Sequence, residues 1–306
     1  MQAFLNVVSG MALTHDASRL FHGRGGAYPQ CEHLCLDWFS PVLLLTSFKT
    51  LTDDDLSIAV TAIKDRWQKL SNEPLNLVFQ YRSGLGTKTE VIEGEVPEKH
   101  IVTEHGAQYL IHLLRGQNHG LFLDMSNGRN WVKQNAQGKK VLNLFAYTCG
   151  FSVVALLGHA EKVVNIDMSK GALSIGKQNH HLNGLVGNAS FLGHDIFKSW
   201  GKLKKNGPYD MIIADPPSNQ KGSFIATKDY SRLLKRLPEL MTNNCELLLC
   251  LNAPELDESY LKEQVNEIVP QLEFIARLDN PDAFIDVDSD RALKVLHYKN
   301  PERLSV

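Results

Sequence analysis

Three successive predicted strands in the second half of the chain each end on a carboxylate. A hydrophobic strand over 141–147 leads into a tight turn at Thr148-Cys149-Gly150 and then into a helical stretch. The strands that follow end on Asp167, Asp195 and Asp215. Ligands of open parallel sheets bind beyond the carboxyl ends of the strands. The spacing therefore predicts that these carboxylates collect at one ligand site.

The composition excludes several other classes of protein. The chain has 306 residues, 32 basic against 34 acidic side chains and a net charge of −2, which does not indicate a strongly basic nucleic-acid binder. The apolar runs are too short to cross a bilayer. The start of the chain has no basic residue before its apolar stretch, so we expect no signal peptide and a cytoplasmic protein. The five cysteines are an odd number without zinc-site spacing, so we expect neither disulfides nor a metal.

Hydrophobic periodicity predicts two domains. Residues 1–115 read as a small α+β unit in which Thr52 caps a helix between strands, and this unit is the candidate for substrate recognition. In residues 116–306 strands alternate with helices, which predicts an α/β fold with a doubly wound, Rossmann-like parallel sheet. The last two strands, 272–278 and 292–299, have no long helix between them. We therefore expect them to form an antiparallel hairpin at the sheet edge.

The turn after the first strand of this sheet is poor in glycine. A dinucleotide site needs G-x-G-x-x-G for close approach of a pyrophosphate, and only Gly150 is present here. A cofactor without phosphates, such as S-adenosylmethionine, suits such a turn. Asp167 is placed to accept from both ribose hydroxyls, Asp195 from the adenine amino group, and Met168 to pack on the adenine face. For any single one of these aspartates, a helix N-cap is the competing interpretation.

The Asp215-Pro216-Pro217 segment is a candidate acceptor site. Two prolines fix the backbone and remove two N–H donors, leaving rigid carbonyl and carboxylate acceptors beside a methyl donor; a plain rigid loop is the alternative. The segment His22-Gly23-Arg24-Gly25-Gly26 allows either a phosphate contact or a simple glycine turn. Two lysine- and arginine-rich clusters are more typical of solvated helix faces: Lys198, Lys202, Lys204 and Lys205, then Lys228, Arg232, Lys235 and Arg236.

These segments together resemble a known family. The runs GLFLD, VLNLFAYTCGFSVVALL, VVNIDMS and YDMIIADPP are similar to the class I S-adenosylmethionine-dependent methyltransferases, and more closely to the bacterial 23S ribosomal RNA large-subunit group that modifies cytosine at C5 or guanine at N7. The resemblance covers roughly residues 100–300. It implies a seven-stranded methyltransferase sheet with its last strand antiparallel, S-adenosylmethionine as cofactor and structured RNA as partner.

The resemblance also assigns residues to roles. The residues assigned to the cofactor are Phe122, Asp124, Phe145, Ala146, Tyr147, Gly150, Asp167, Met168 and Asp195. Phe122, Leu123 and Asp124 match the segment that covers the cofactor in the family, which we call the covering segment. The residues assigned to catalysis are Asp215, Pro216, Pro217 and Asn252.

Three positions depart from the family pattern. Cys149 stands where glycine is usual, and Ser126 stands where arginine is usual, although Arg129 is kept. The C5 enzymes carry a nucleophilic cysteine after the fifth strand, where this chain has Asn252; Cys250 lies about 7 Å earlier along the strand. Asparagine at this point resembles the N7 enzymes. We therefore expect methylation of a base without a covalent cysteine adduct.

Two other functions stay open at this stage. The near-neutral charge is compatible with a methyltransferase that acts on a small molecule or a protein. The substitutions at Cys149 and Ser126 are compatible with a non-catalytic RNA- or protein-binding member of the fold. Binding of S-adenosylmethionine distinguishes the enzymes from the binding protein.

Overall fold

The computed structural model describes residues 1–83, 86–217, 219–220 and 222–302. The chain divides into two compact units: Met1–Asp124 with Pro281–Asp288, and Met125–Asn280 with Ser289–Val306. Residues 112–124 belong to the first unit, and within this stretch the His112 N–H donates to the His119 carbonyl. No helix among the described residues is long and apolar enough to cross a bilayer.

The first unit is an α+β structure. Its elements are α1 (Gln2–Gly10), β1 (Ser18–His22), β2 (Leu34–Phe39), β3 (Val42–Ser47), α2 (Asp53–Leu70), β4 (Asn76–Ser83), β5 (Gly86–Glu93), β6 (His100–Glu104) and β7 (Ala107–Ile111). Strands β1 to β5 form one sheet in chain order, in which only β3 and β4 are parallel. Helix α2 makes that parallel connection, and β6 pairs with β7 in a separate hairpin.

Helix α2 shows why the local sequence reading works. The Thr52 side chain accepts from the Asp55 N–H at 3.1 Å, which caps the helix at the predicted position. Three aspartates in its first turn complement the positive end of the helix dipole. Ala59, Ile63 and Trp67 are buried at helical spacing and belong to a core shared with α1 and β1 to β4.

The second unit is an α/β structure. Its elements are α3 (Ser126–Asn135), β8 (Lys140–Leu144), α4 (Gly150–Leu157), β9 (Lys162–Asp167), α5 (Lys170–Leu182), β10 (Ala189–Gly193), α6 (Trp200–Asn206), β11 (Tyr209–Ala214), β12 (Asn219–Gln220), β13 (Phe224–Ile225), α7 (Ala226–Leu234), β14 (Met241–Leu251), α8 (Glu258–Ile268), β15 (Glu273–Leu278) and β16 (Lys294–Lys299).

Its seven-stranded sheet has the order β10-β9-β8-β11-β14-β16-β15. Neighbours from β10 to β14 are parallel, and β16 is antiparallel to both β14 and β15. The predicted sheet with an antiparallel last strand is therefore confirmed. The strand order reverses between β8 and β11, which places the carboxyl ends of β8, β9 and β11 around a switch point where ligands bind in such sheets.

Acid sensitivity of the first unit is expected from His119. Its Nδ1–H donates to the His112 carbonyl at 3.1 Å and its Nε2 accepts from Arg82 at 3.0 Å, so the ring is neutral. Burial lowers the pKa of His119 to about 4. Since the unfolded imidazole titrates near 6.5, its contribution is complete above that pH and is lost as the pH falls toward 4.

We expect this group alone to lower the free energy of unfolding by about 2–3 kcal/mol between pH 7.5 and pH 4.5. Urea unfolding at both pH values measures the loss, and His119→Gln should reduce the pH dependence. His15→Gln is the matched control, because the side chain of His15 is 86% exposed. An unchanged pH dependence in the His119 variant would contradict the assignment.

Candidate functional site

The turn between β8 and α4 has an uncommon backbone. Phe145, Tyr147 and Cys149 have backbone φ values of 57°, 46° and 62°, in the left-handed region that residues other than glycine rarely adopt. Each such residue costs on the order of 1 kcal/mol and persists only where its surroundings fix it. Here bonds from the Ala146 N–H to the Ile166 carbonyl (3.0 Å) and from the Cys149 N–H to the Ala146 carbonyl (2.7 Å) hold the turn.

Asp167 at the end of β9 fixes the same turn. Its Oδ2 accepts from the Tyr147 N–H at 2.8 Å, and its Oδ1 accepts from the Ser169 N–H at 2.7 Å. The cap of α5 is Ser169, whose hydroxyl accepts from the Ala172 N–H at 3.2 Å. The N-cap interpretation therefore does not apply to Asp167. A carboxylate oxygen has two lone pairs, so each oxygen keeps capacity for a ligand hydroxyl.

Asp195 follows β10 and has a local structural partner. Its Oδ1 accepts from the Phe197 N–H at 2.9 Å, which caps a short 3-10 helix, and its carboxylate lies 3.7 Å from the ammonium of Lys198. Asp195 therefore acts as an N-cap, as the competing interpretation holds. Its assignment to adenine remains a prediction, as does that of Met168, whose side chain is 50% exposed at the end of β9.

The predicted covering segment begins in the first unit. Phe122 is 42% exposed, and Asp124 lies in a 3-10 turn over Leu123–Met125. In the second unit, Ser126 begins α3, and Arg129 is buried on the same helix. The cofactor roles of Phe122 and Asp124 remain predictions.

Cys149 is accommodated by a glycine on α5. A Cβ atom added to Gly176 would lie 2.5 Å from the Cys149 Sγ and 3.2 Å from the Thr148 carbonyl oxygen. Cys149 is fully buried, and burial raises the pKa of its thiol. It adopts the left-handed conformation that glycine favours.

Gly176→Ala should therefore destabilise the protein by about 1–3 kcal/mol through overpacking. Combining it with Cys149→Gly should recover most of that loss, because the sulfur is then gone. The control is Gly171→Ala on the same helix, where the nearest atom to an added Cβ is 3.9 Å away. Urea unfolding measures the coupling across five proteins: the unchanged protein, Gly176→Ala, Cys149→Gly, the double variant and Gly171→Ala. A loss of equal size at Gly171 would contradict this packing account.

A chain of buried polar side chains lies beneath the turn. The Asn143 side-chain amide donates to Oδ1 of Asn165 at 2.9 Å, and the Asn165 side-chain amide donates to the Ser152 hydroxyl at 2.9 Å. The Nδ1–H of His180 donates to the Gly176 carbonyl at 2.7 Å, so its Nε2 accepts from the Ser152 hydroxyl at 2.9 Å. Burial lowers the pKa of His180, consistent with this neutral tautomer. The sequence analysis did not predict this series of hydrogen-bonded side chains, although asparagines inside two apolar strands were a signal.

The predicted acceptor residues lie at the ends of adjacent strands. Ala214 on β11 is opposite Leu249 on β14, so Asp215 leaves β11 beside the last residues of β14. Asp215 is half-buried and Pro216 is buried, whereas Asn252, just after β14, is exposed. The fold thus places the two catalytic candidates on neighbouring strands and on the same sheet edge as Asp167.

Aromatic residues that sequence reasoning missed support this edge. Phe224 on β13 is buried and packs edge-on against Phe145 at 5.2 Å and Tyr230 at 5.2 Å between ring centroids. The hydroxyl of the fully buried Tyr230 donates to the Cys250 carbonyl. Burial raises the pKa of Tyr230, and Cys250 and Asp215 add to that effect. The cofactor turn, α7 and the end of β14 therefore share one rigid core.

The cysteines are free and buried. The reactive form of cysteine is the thiolate, which burial in apolar surroundings disfavours. Burial raises the pKa of Cys35, Cys149 and Cys245. Cys250 is fully buried within β14. The structure therefore presents no exposed thiol at the acceptor edge among these residues.

Most basic side chains of the second unit's two clusters have partners. Lys204 and Arg236 both pair with Glu239, at 2.8 and 3.3 Å. Arg232 pairs with Asp229 at 2.6 Å and lies over the Phe197 ring at 4.1 Å. These contacts support the interpretation of solvated and locally neutralised helix faces.

Comparison with known proteins agrees with this geometry. The family model described as S-adenosylmethionine-dependent methyltransferase matches residues 18–299. A solved structure described as a methyltransferase, SMU.776 in complex with SAH, superposes with a TM-score of 0.85 at 25% identity over 97% of this chain and 81% of that one. A methyltransferase structure from Agrobacterium tumefaciens, at 18% identity and a TM-score of 0.69, shares the fold over 96% of this chain and 92% of that one.

Curated relatives carry ribosomal names. Ribosomal RNA large subunit methyltransferase I of Erwinia tasmaniensis is 30% identical over 274 residues, which are 85% of this chain and 68% of that protein. The enzyme of the same name from Aeromonas salmonicida is 38% identical over 148 residues, 47% of this chain and 37% of that protein. The chain therefore matches only part of the length of these relatives.

Proposed function

Because the chain belongs to the S-adenosylmethionine-dependent methyltransferase family, we propose that it methylates a base of ribosomal RNA with S-adenosylmethionine as methyl donor. The observation that supports the proposal is the position of Asp167 at the end of β9. Its carboxylate accepts hydrogen bonds from the backbone N–H groups of Tyr147 in the cofactor turn and of Ser169. The RNA substrate follows from the names of the relatives, which are large-subunit ribosomal RNA methyltransferases. With ribosomal RNA as substrate, the proposed location of the protein is the cytoplasm.

The residues present fit this cofactor. When bound, S-adenosylmethionine supplies an electrophilic methyl group and carries no phosphate. A ribose diol donates two hydrogen bonds, and the Asp167 carboxylate has two oxygens with spare lone pairs at the strand end. Asp195 is proposed to accept from the adenine amino group and Met168 to pack on the ring. Phe145, Ala146, Tyr147 and Gly150 are proposed to line the cofactor, and the family pattern adds Phe122 and Asp124.

The acceptor half of the site is proposed to position a base by hydrogen bonds, without forming a covalent bond to it. The Asp215 carboxylate and the carbonyls of Pro216 and Pro217 are acceptors on a backbone that proline makes rigid. Asn252 adds an exposed amide with both donor and acceptor groups. A ring nitrogen such as guanine N7 is already nucleophilic, so orientation toward the methyl carbon suffices. Methylation of cytosine C5 requires covalent addition at C6, for which Asn252 offers no thiolate.

A second candidate is methylation of a small molecule or a protein. The net charge of −2 and the paired lysines and arginines of the second unit favour it. A non-catalytic binding role is the third candidate, and failure to bind S-adenosylmethionine would support it.

Mass spectrometry of ribosomal RNA from a deletion strain tests the proposal. We expect one methylated nucleoside of the large-subunit RNA to be lost, and to return when the gene is restored. A complete and unchanged set of methylated nucleosides would contradict the RNA substrate and favour the small-molecule or protein acceptor.

A further inference from the structure

Two guanidinium groups of the first unit surround one aromatic ring. The guanidinium carbon of Arg24 lies 4.2 Å from the centroid of the Phe48 ring, and that of Arg82 lies 5.7 Å from it. These distances put the two carbons at most 9.9 Å apart. Cation–π contact of this kind orders a guanidinium that would otherwise be mobile. We call these three residues the guanidinium cluster.

The sheet explains why Phe48 and Arg82 meet. Strands β3 and β4 are parallel, with Ser47 opposite Tyr81, so Phe48, just after β3, comes next to Arg82, which is still within β4. Arg82 is half-buried, and its guanidinium donates to the side-chain oxygen of Gln80 and to Nε2 of His119. The position of Arg82 is thus fixed before any ligand arrives.

The two flanking glycines place Arg24. A Cβ atom added to Gly23 would lie 1.9 Å from the Cys31 carbonyl oxygen, and one added to Gly25 would lie 1.8 Å from the Ile285 carbonyl oxygen. Only glycine permits this close packing on both sides. Arg24 stands between them and is exposed. The glycine-rich segment is therefore a rigid support that presents Arg24.

The two arginines of the cluster are not in an ion pair among the described residues. Among the described residues, neither Arg24 nor Arg82 has a carboxylate within the 4.0 Å of an ion pair, whereas Asp37 nearby is taken by Arg19. Burial lowers the pKa of Arg82, Asp37 raises it, and the cations Arg19 and Arg24 lower it further. An external anion would relieve this repulsion. In the second unit, by contrast, Arg232 and Arg236 each form an ion pair with a carboxylate.

We propose that the guanidinium cluster binds backbone phosphate of the RNA substrate. The inference rests on the proposed function and extends it from the methyl-transfer site to a contact in the first unit. Guanidinium groups donate two hydrogen bonds to phosphate oxygens in a fixed planar geometry. Bases of single-stranded RNA also stack on arginine planes, and the exposed face of Arg24 offers such a plane. RNA uses both the charge of Arg24, through a phosphate, and its plane, through a stacked base, whereas a peptide carboxylate uses only the charge.

Arg24→Gln tests the proposal. Arg24 is an exposed residue that contacts the Phe48 ring, so its replacement should leave the core intact. The probe is deproteinised large-subunit ribosomal RNA from a deletion strain. We expect the affinity to fall about tenfold and the slope of log K against log salt to drop by about 0.7–0.9, the change for one lost phosphate contact. Arg24→Lys should retain the salt slope and lose part of the affinity, since it keeps the charge but not the planar fork.

Lys69→Gln is the matched control, an equal change of charge at an exposed position of the first unit on α2. It should bind RNA as the unchanged protein does. Unchanged RNA affinity for Arg24→Gln, or equal losses for both variants, would overturn the cluster as a phosphate site while leaving the proposed function intact. If the unchanged protein itself does not bind the RNA, the proposed function fails and this inference fails with it.

Discussion

Asp167→Asn should lower the affinity for S-adenosylmethionine by about 100-fold or more. Two hydrogen bonds from the cofactor's ribose to a charged acceptor contribute roughly 1.5–3 kcal/mol each. The amide also puts an NH2 group where one oxygen now accepts from the Tyr147 or the Ser169 N–H, so the turn loses a bond as well. Calorimetric titration with S-adenosylmethionine measures the affinity, and urea unfolding measures the accompanying loss of stability.

Asp210→Asn separates cofactor binding from general destabilisation. Asp210 lies near the start of β11, at the opposite edge of the same sheet, and also accepts two bonds, from the Lys140 N–H (3.0 Å) and the Thr242 hydroxyl (3.0 Å). We expect a comparable loss of stability, on the order of 1–3 kcal/mol, with cofactor affinity unchanged. Equal losses of affinity in the two variants would contradict a direct role for Asp167.

Asp215→Asn should lower kcat by about 100- to 1000-fold while leaving the affinity for S-adenosylmethionine within about threefold. Asp215 is assigned to the acceptor base, and loss of a charged, preorganised acceptor beside the reacting atoms has effects of this size. Single-turnover transfer of labelled methyl to large-subunit ribosomal RNA gives the rate, and calorimetry gives the affinity. A variant that loses cofactor binding instead would move Asp215 to the cofactor half of the site.

The same assay tests the acceptor chemistry at the end of β14. Asn252→Ala should reduce the rate about tenfold or more, whereas Asn266→Ala, an exposed asparagine on α8, should not. Cys250→Ala should keep most of the activity, because Cys250 is buried and no adduct is required. Loss of transfer in the Cys250 variant, with cofactor binding retained, would indicate covalent catalysis and contradict the proposed acceptor chemistry.

Patterns with a short-range physical cause were readable from the sequence. The cap at Thr52 depends on neighbours within one turn, and the structure confirms it. The antiparallel end of the second sheet followed from a missing crossover helix, and β16 confirms it. The first strand of that sheet ends at Leu144, earlier than predicted, because the left-handed residues of the turn begin at Phe145.

Features that depend on long-range packing were not readable. Helix α3 was not predicted, and its buried Arg129 gave no apolar periodicity. The fit of Cys149 against Gly176 joins residues on two elements, and no local pattern indicates it. The partners of Asp167 and Asp195 likewise became apparent only once the strand ends were in place, and they show that two similar aspartates hold different local bonds.

Transfer of a labelled methyl group from S-adenosylmethionine to large-subunit ribosomal RNA tests the central claim most directly. The substrate is RNA from a deletion strain, and the labelled nucleoside is identified by mass spectrometry after digestion. The account predicts incorporation at one ring nitrogen, abolished by Asp167→Asn and retained in Cys250→Ala. A protein that binds S-adenosylmethionine yet leaves this RNA unlabelled would contradict the RNA substrate, and label at cytosine C5 would contradict the proposed acceptor chemistry.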